Sequence, residues 1–191
     1  PLEPIGDHNH NGAPTTSPPA SPSQKKKKKR KKKKIKKKTH KKVIPPFEGE
    51  YSGERLDGLR HGTGQIKYEN GDIYEGSFLG GYRSGIGRYI TERQKRVYNG
   101  SWRRSYRHGK GRETFSDGAI YEGMYVNDMF QGHGIYTTHA GKYEGEFHEN
   151  LKSGTGTMIW IESRAKYEGG WLKGFFHGEG VYVGKDGTQY N

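Results

Sequence analysis

"YEGSFLGGYRSGIG", residues 74–87, opens on a ring–acid–glycine triplet and closes on a Gly-x-Gly. Nearly the same string returns as "YEGEFHENLKSGTG" (143–156) and "YEGGWLKGFFHGEG" (167–180). Aromatic-x-Gly starts stand at Tyr51, Tyr74, Tyr98, Tyr121, Tyr143, Tyr167 and Tyr190, at intervals of 22 to 24 residues. From each of the first six starts to the first glycine of its Gly-x-Gly (Gly62, Gly85, Gly109, Gly132, Gly154, Gly178) the distance is always 11 residues. From the second glycine to the next start it varies between 9 and 11. Variation confined to one place marks a solvent-exposed loop, and the constant spacing marks a geometric requirement.

Two strands per repeat meet that requirement. In a strand, Tyr74, Gly76 and Phe78 share one face while Glu75 and Ser77 share the other. The same ring–Gly–ring face recurs in Tyr98/Gly100/Trp102, Tyr121/Gly123/Tyr125, Tyr143/Gly145/Phe147 and Tyr167/Gly169/Trp171. A second alternation follows the Gly-x-Gly, as in Ile66/Tyr68, Tyr136/Thr138 and Met158/Trp160; it is weaker in the third repeat, where Glu113 pairs with Phe115. "ENGD" (69–72), "SDGA" (116–119), "HAGK" (139–142) and "KDGT" (185–188) read as hairpin turns, "TERQKR" (91–96) and "IESRAK" (161–166) as longer loops. A helical reading fails, because each glycine costs about 1 kcal/mol inside a helix. A strand glycine instead lets a neighbouring ring lie flat across its backbone. The expected fold is all-β: an elongated antiparallel β-meander of about six hairpin repeats, preceded by a disordered Lys-rich tail. Nearest-neighbour stacking replaces a central core, and twelve strands at ~4.8 Å make a curved ribbon on the order of 60 Å long.

Composition divides the chain in the same way. Apolar residues make up only 28%, yet the 14 Tyr, 7 Phe and 3 Trp all fall between Phe47 and Tyr190. The net charge of +13 belongs to residues 1–42, which hold 15 Lys/Arg against 2 acids; residues 43–191 hold 19 of each sign. We therefore read 1–42 as a disordered tail with a polybasic run at 25–42 and 43–50 as a junction and first-strand extension. Six repeats then occupy 51–189 (51–73, 74–97, 98–120, 121–142, 143–166 and 167–189), and 190–191 begin a seventh. A chain that starts on Pro1 and stops on the first residues of a new unit is expected to be a fragment. The absence of cysteine excludes disulfides and thiolate-built metal sites and fits a cytoplasmic or nuclear address. No apolar run approaches the ~20 residues of a membrane-spanning helix.

The spaced pattern Y-E-G-x-[FW]-x-x-G/N-x-x-x-G-x-G, at about 23 residues per unit, resembles the MORN repeat (membrane occupation and recognition nexus). Glu75, Glu122, Glu144 and Glu168 fill its acidic position, and six units in register cover about three quarters of the chain. Repeat 1 departs from the pattern with Ser52 and Arg55, and repeat 3 with Asn99. "FEGEY" (47–51) matches the strand motif four residues early, so repeat 1 reads as a cap or a lengthened first strand. Such arrays are known in ciliary and cytoskeletal scaffolds, membrane-junction proteins, plant phosphatidylinositol-phosphate kinases and a SET-domain methyltransferase. The resemblance implies the fold firmly and the function loosely. It also implies an aromatic groove that takes a helical or extended peptide.

Candidate partner-binding residues are therefore the ladder rings Tyr74, Phe78, Tyr98, Trp102, Tyr121, Tyr125, Tyr143, Phe147, Tyr167 and Trp171. The plain reading gives these rings to packing. The functional reading leaves some partly exposed as anchors, Trp102 and Trp171 foremost, with Tyr98 and Tyr167 beside them. On that reading Trp102→Ala and Trp171→Ala weaken partner capture and leave the sheet's circular dichroism nearly intact. The Glu row faces away from the rings and reads as a solvated row pairing with Lys/Arg. His61, His108 and His177 lie a repeat or more apart, too far to share a metal. No helix follows any Gly-x-Gly to make a phosphate loop, and no nucleophile–base pair emerges. No cofactor and no catalytic residue are expected.

The lysine run is the remaining feature: Lys25, Lys26, Lys27, Lys28, Lys29, Arg30, Lys31, Lys32, Lys33, Lys34, Lys36, Lys37, Lys38, Lys41 and Lys42. It suits a polyanion, whether acidic phospholipids, acidic tubulin tails or nucleic acid, and is compatible with a nuclear localisation signal. The expected function is a non-enzymatic scaffold or adaptor, cytoskeletal or ciliary by family analogy, with a nuclear or membrane-peripheral setting also compatible. The alternatives are a membrane-tethering module bound to acidic phospholipids and the regulatory N-terminal region of a larger enzyme, a lipid kinase or SET methyltransferase.

Overall fold

The computed structural model describes residues 49–191. The expectations for the tail, the lysine run and Phe47 lie outside these residues. Strands β1 (Gly49–Leu56) to β12 (Phe175–Val183) alternate in chain order: β2 Leu59–Tyr68, β3 Ile73–Leu79, β4 Tyr82–Thr91, β5 Arg96–Arg103, β6 Tyr106–Thr114, β7 Ile120–Val126, β8 Met129–Thr137, β9 Gly141–His148, β10 Leu151–Trp160 and β11 Lys166–Leu172. A two-residue β13 (Gln189–Tyr190) follows. All thirteen form one antiparallel meander in sequence order, each strand bonded to the next. The all-β class and the hairpin repeat are as the spacing predicts.

Within each repeat the two strands meet at a two-residue turn with both central residues at positive φ. These are Asp57–Gly58, Gly80–Gly81, Arg104–Ser105, Asn127–Asp128, Glu149–Asn150 and Lys173–Gly174. Positive φ at both positions is the type I′ turn whose twist matches the strands it joins. Only four of these twelve positions are glycine, so the sequence signal for the turn is weak. Tertiary bonds offset the strain: the second turn residue donates its N–H one repeat back, Ser105 to the Arg83 carbonyl (2.9 Å) and Asp128 to that of Arg107 (3.0 Å). The side chains return the bond, Ser105 Oγ accepting from Arg83 N–H (3.1 Å) and Asp128 Oδ1 from Arg107 N–H (2.9 Å).

The constant spacing of 11 now has a cause. Tyr74 lies back along its own hairpin, over the place where Gly76 pairs with Gly87, and its hydroxyl donates to the Ser77 carbonyl at 2.9 Å. A Cβ on Gly87 would sit 2.3–2.6 Å from the Tyr74 ring and hydroxyl, so only glycine fits beneath it. Two residues earlier, Gly85 adopts φ +69° in a bulge that lets β4 skip past Ser77. The first glycine thus makes the bulge and the second makes room for the ring. All six starting tyrosines donate in the same way to the carbonyl three residues on (2.6–3.1 Å).

Candidate functional site

Because Gly76 faces Gly87 across the hairpin, β3 and β4 present their rings on the same side: Tyr74 is paired with Tyr89, and Phe78 with Arg83. Two layers result. The lower layer is the ring ladder. Tyr74, Phe78, Tyr98, Trp102, Tyr121, Tyr125, Tyr143, Phe147, Tyr167 and Trp171 are all buried, none more than 6% exposed. They meet edge-to-face at about 5 Å, as in Tyr74–Trp102 (5.3 Å, 85°), Tyr98–Tyr125 (5.1 Å, 82°) and Tyr143–Trp171 (5.0 Å, 77°), the geometry the ring quadrupole favours. Each indole N–H is also satisfied internally, Trp102 donating to the Gly87 carbonyl at 3.0 Å and Trp171 to that of Gly156 at 3.1 Å. The ten rings proposed from sequence form the floor of the face. The expectation that Trp102 and Trp171 stand partly exposed as anchors is corrected here: each is only 5% exposed, which assigns both to packing.

The upper layer is built by the second strand of each repeat. The residue two before each Gly-x-Gly (Arg60, Arg83, Arg107, Phe130, Lys152, Phe176) covers the starting tyrosine of its own repeat. Phe130 stacks on Tyr121 at 3.6 Å and 7°, and Phe176 on Tyr167 at 4.0 Å and 26°. The cations do the same work by cation–π contact: Arg60 over Tyr51 at 5.3 Å, Arg83 over Tyr74 at 5.5 Å, Arg107 over Tyr98 at 5.7 Å and Lys152 over Tyr143 at 4.8 Å. Burial lowers the Lys152 ammonium below the usual lysine range. Beside this row stand Tyr68, Tyr89, Phe115, Tyr136, Met158, Trp160 and Tyr182, partly buried and packed on the floor. Tyr89 is fixed by Asp72, a buried acid that accepts from its hydroxyl at 2.7 Å; burial, then that bond, raises its phenol. The accessible aromatic surface thus belongs to second-strand rings. The sequence signal for Phe130 and Phe176 was their fixed place two residues before Gly-x-Gly, shared by four cations that a search for rings passes over. Tyr89, Tyr136 and Tyr182 stand two residues after it, and Tyr68, Phe115 and Trp160 four.

Repeat 3 replaces the expected ring by Glu113, which is 3% exposed among aromatics. One oxygen accepts from Arg96 (2.6 Å), the other from Arg107 (2.7 Å) and from the Tyr125 hydroxyl (3.0 Å). Arg96 also covers the Phe115 ring at 4.6 Å. A buried carboxylate held this way is costly to remove, because its cations stay behind uncompensated. Glu113→Ala is expected to lower stability by about 3 kcal/mol, and Glu113→Gln by less. Urea unfolding followed by tryptophan fluorescence measures both; midpoints equal to that of the unaltered chain would show the cluster to be idle.

The opposite face carries the expected glutamate row. Glu75, Glu122, Glu144 and Glu168 are exposed, with Lys142–Glu144 at 2.8 Å, Lys166–Glu168 at 2.6 Å and a looser Arg112–Glu122 pair at 3.7 Å. The lysine hydrogen bonds hold the Glu144 and Glu168 carboxyls below the usual range. Exposed pairs of this kind are screened by solvent and add little to stability. Among the described residues no three His, Asp or Glu side chains gather to hold a metal; His61, His108 and His177 lie on β2, β6 and β12.

Comparison with known proteins matches the chain to a repeat family. The family model described as "MORN repeat" matches residues 51–73, 74–92, 98–120, 121–141, 143–161 and 167–189. No curated protein matches the chain. Among solved structures it is similar to the "SAS-4 (dCPAP) TCP domain in complex with a Proline Rich Motif of Ana2 (dSTIL) of Drosophila Melanogaster", at 11% identity over 68% of this chain and 70% of that one, with a TM-score of 0.42.

Proposed function

Since the chain belongs to the MORN-repeat family, we propose that it is a non-enzymatic scaffold whose ring face receives a peptide segment of a partner protein. One observation carries the reading. A file of partly buried rings and cations, one set per repeat, lies on a floor that is already packed and internally hydrogen-bonded. The upper rings are therefore free to exchange water for a partner without dismantling the fold, and aromatic and arginine side chains dominate binding hot spots. The lysine run adds salt-sensitive attraction to an acidic surface. By likeness to the family we place the work in a cytoskeletal or ciliary setting.

Site-specific photo-crosslinking in cells tests this. A benzoyl-phenylalanine at Tyr136 or Trp160, on the ring face, is expected to yield discrete protein adducts. The same probe at Ile135 or Thr157, neighbours facing the other way, is expected to yield few. Adducts from the back face alone would overturn the proposal. If neither face yields adducts while the chain sediments with phosphatidylserine vesicles, the membrane-tethering reading takes its place.

A further inference from the structure

The cations of the ring face differ in what holds them. Arg107 is bound by Glu113 and by Asp128, whose Oδ1 lies 3.3 Å from its Nε, and Arg96 is bound by Glu113. Arg83 has no carboxylate partner among the described residues. It donates to the Ser105 carbonyl at 2.8 Å, and its Nε is shut away from solvent without a hydrogen-bond acceptor. Three rings surround the guanidinium carbon, Trp102 at 4.3 Å, Tyr89 at 4.9 Å and Tyr74 at 5.5 Å. A cavity of about 270 Å³ opens there, lined by Arg83, Arg96, Arg107, Trp102, Glu113 and Asp128 among others. Three guanidiniums and two carboxylates line it, and the ion pairs take up Arg96 and Arg107 but not Arg83.

The same asymmetry runs through the array. Residues 51–120 hold thirteen Lys/Arg against eight Asp/Glu, net +5, while 121–189 hold six against nine, net −3. In the later repeats the covering position turns aromatic at Phe130 and Phe176, with Lys152 between them in sequence, and Phe176 meets Trp160 at 6.2 Å.

Resting on the ring-face reading, we propose that the partner is an acidic-apolar peptide. An aspartate or glutamate of that peptide pairs with Arg83 in the cavity of repeats 2 and 3, and an aromatic or aliphatic residue lies on the rings of repeats 4 to 6. A guanidinium can offer a carboxylate two parallel N–H bonds, which a lysine cannot. From Arg83 on β4 to Phe130 on β8 is four strand spacings, about 19 Å. That separates the acid from the apolar anchor by about six residues in an extended peptide or about thirteen on a helix.

The test is selection of random 16-residue peptides displayed on phage against the full chain at physiological salt. The expected winners carry an acid at a fixed distance from an aromatic or aliphatic residue. For a winner, Arg83→Gln is expected to weaken binding at least tenfold and Arg83→Lys less. Changing the peptide's acid to its amide should weaken binding to the unaltered chain and leave Arg83→Gln indifferent. The lysine run also attracts acids, but with no fixed spacing and identically in every variant; near-UV circular dichroism checks that the variants are folded. Equal acid dependence with and without Arg83 overturns the proposal. Apolar winners with no preferred acid overturn it too, yet leave the ring-face reading standing. Winners indifferent to Trp160→Ala overturn both.

Discussion

Raised above about pH 10, the protein is expected to unfold steeply, with tyrosine ionisation and loss of structure arriving together. Tyr74, Tyr98, Tyr121, Tyr125 and Tyr143 are at most 2% exposed. Burial pushes all five phenols above their ordinary value, Tyr143 to about 12 and the others further, with the Glu113 carboxylate adding to the rise at Tyr125. A raised folded value means the folded state keeps its phenol protons while the unfolded chain releases them near pH 10. The stabilisation is therefore complete below about pH 10 and is lost as pH climbs toward the folded values. Each phenol removes about 1.4 kcal/mol per pH unit in that window, so five acting together remove up to about 7 kcal/mol at pH 11. That rivals the whole stability of an ordinary domain, about 5–15 kcal/mol. Ionisation also destroys the hydroxyl donor, and with it the bond from each starting tyrosine to the carbonyl three residues on. Phenolate absorbance and near-UV circular dichroism should change in one coincident step. Smooth titration centred on pH 10 with the sheet intact would show the phenols to be solvated.

Trp102→Ala is expected to lower stability by about 3–5 kcal/mol, the range for truncating a large buried aromatic. The indole touches Tyr74, Tyr89 and Tyr98 at ring distances of 5.1–5.9 Å, supports Arg83, and donates to the Gly87 carbonyl. Its removal opens the floor between repeats 2 and 3, and in a nearest-neighbour array such damage stays local before it spreads. Amide exchange should therefore rise first in β3 to β6. Trp171→Ala is expected to loosen β9 to β12 in the same manner, since Tyr143, Tyr167 and Phe176 pack on that indole. Trp102→Phe, which keeps a ring and loses one hydrogen bond, should cost about 1–2 kcal/mol. An unchanged urea midpoint for Trp102→Ala would return that indole to the partner surface.

The candidate site was half legible in advance. Period-2 alternation puts Tyr74 and Phe78 on one face, and that face is the right one. It cannot say which residues on the face lie beneath others, because Tyr74, Phe78, Arg83 and Tyr89 all point the same way. Depth depends on how far a side chain folds back over its neighbour. Arg83 and Phe130, chemically unlike, occupy the same place because each supplies a flat group to cover a tyrosine. Glu113 was visible only as a break in the alternation; its pairing with Arg96 and Arg107 joins residues 17 and 6 positions away along the chain.

By itself the sequence determined the repeat, the hairpin, the face and the places where glycine is required. Each of these follows from local stereochemistry: a period of two, a positive φ at the bulge, and the room a tyrosine needs beneath its ring. The tertiary structure alone decided which rings are floor and which are surface, and which arginine the ion pairs do not take up. Those depend on contacts between successive hairpins, where burial and ion pairing are settled by neighbours that spacing along the chain does not specify.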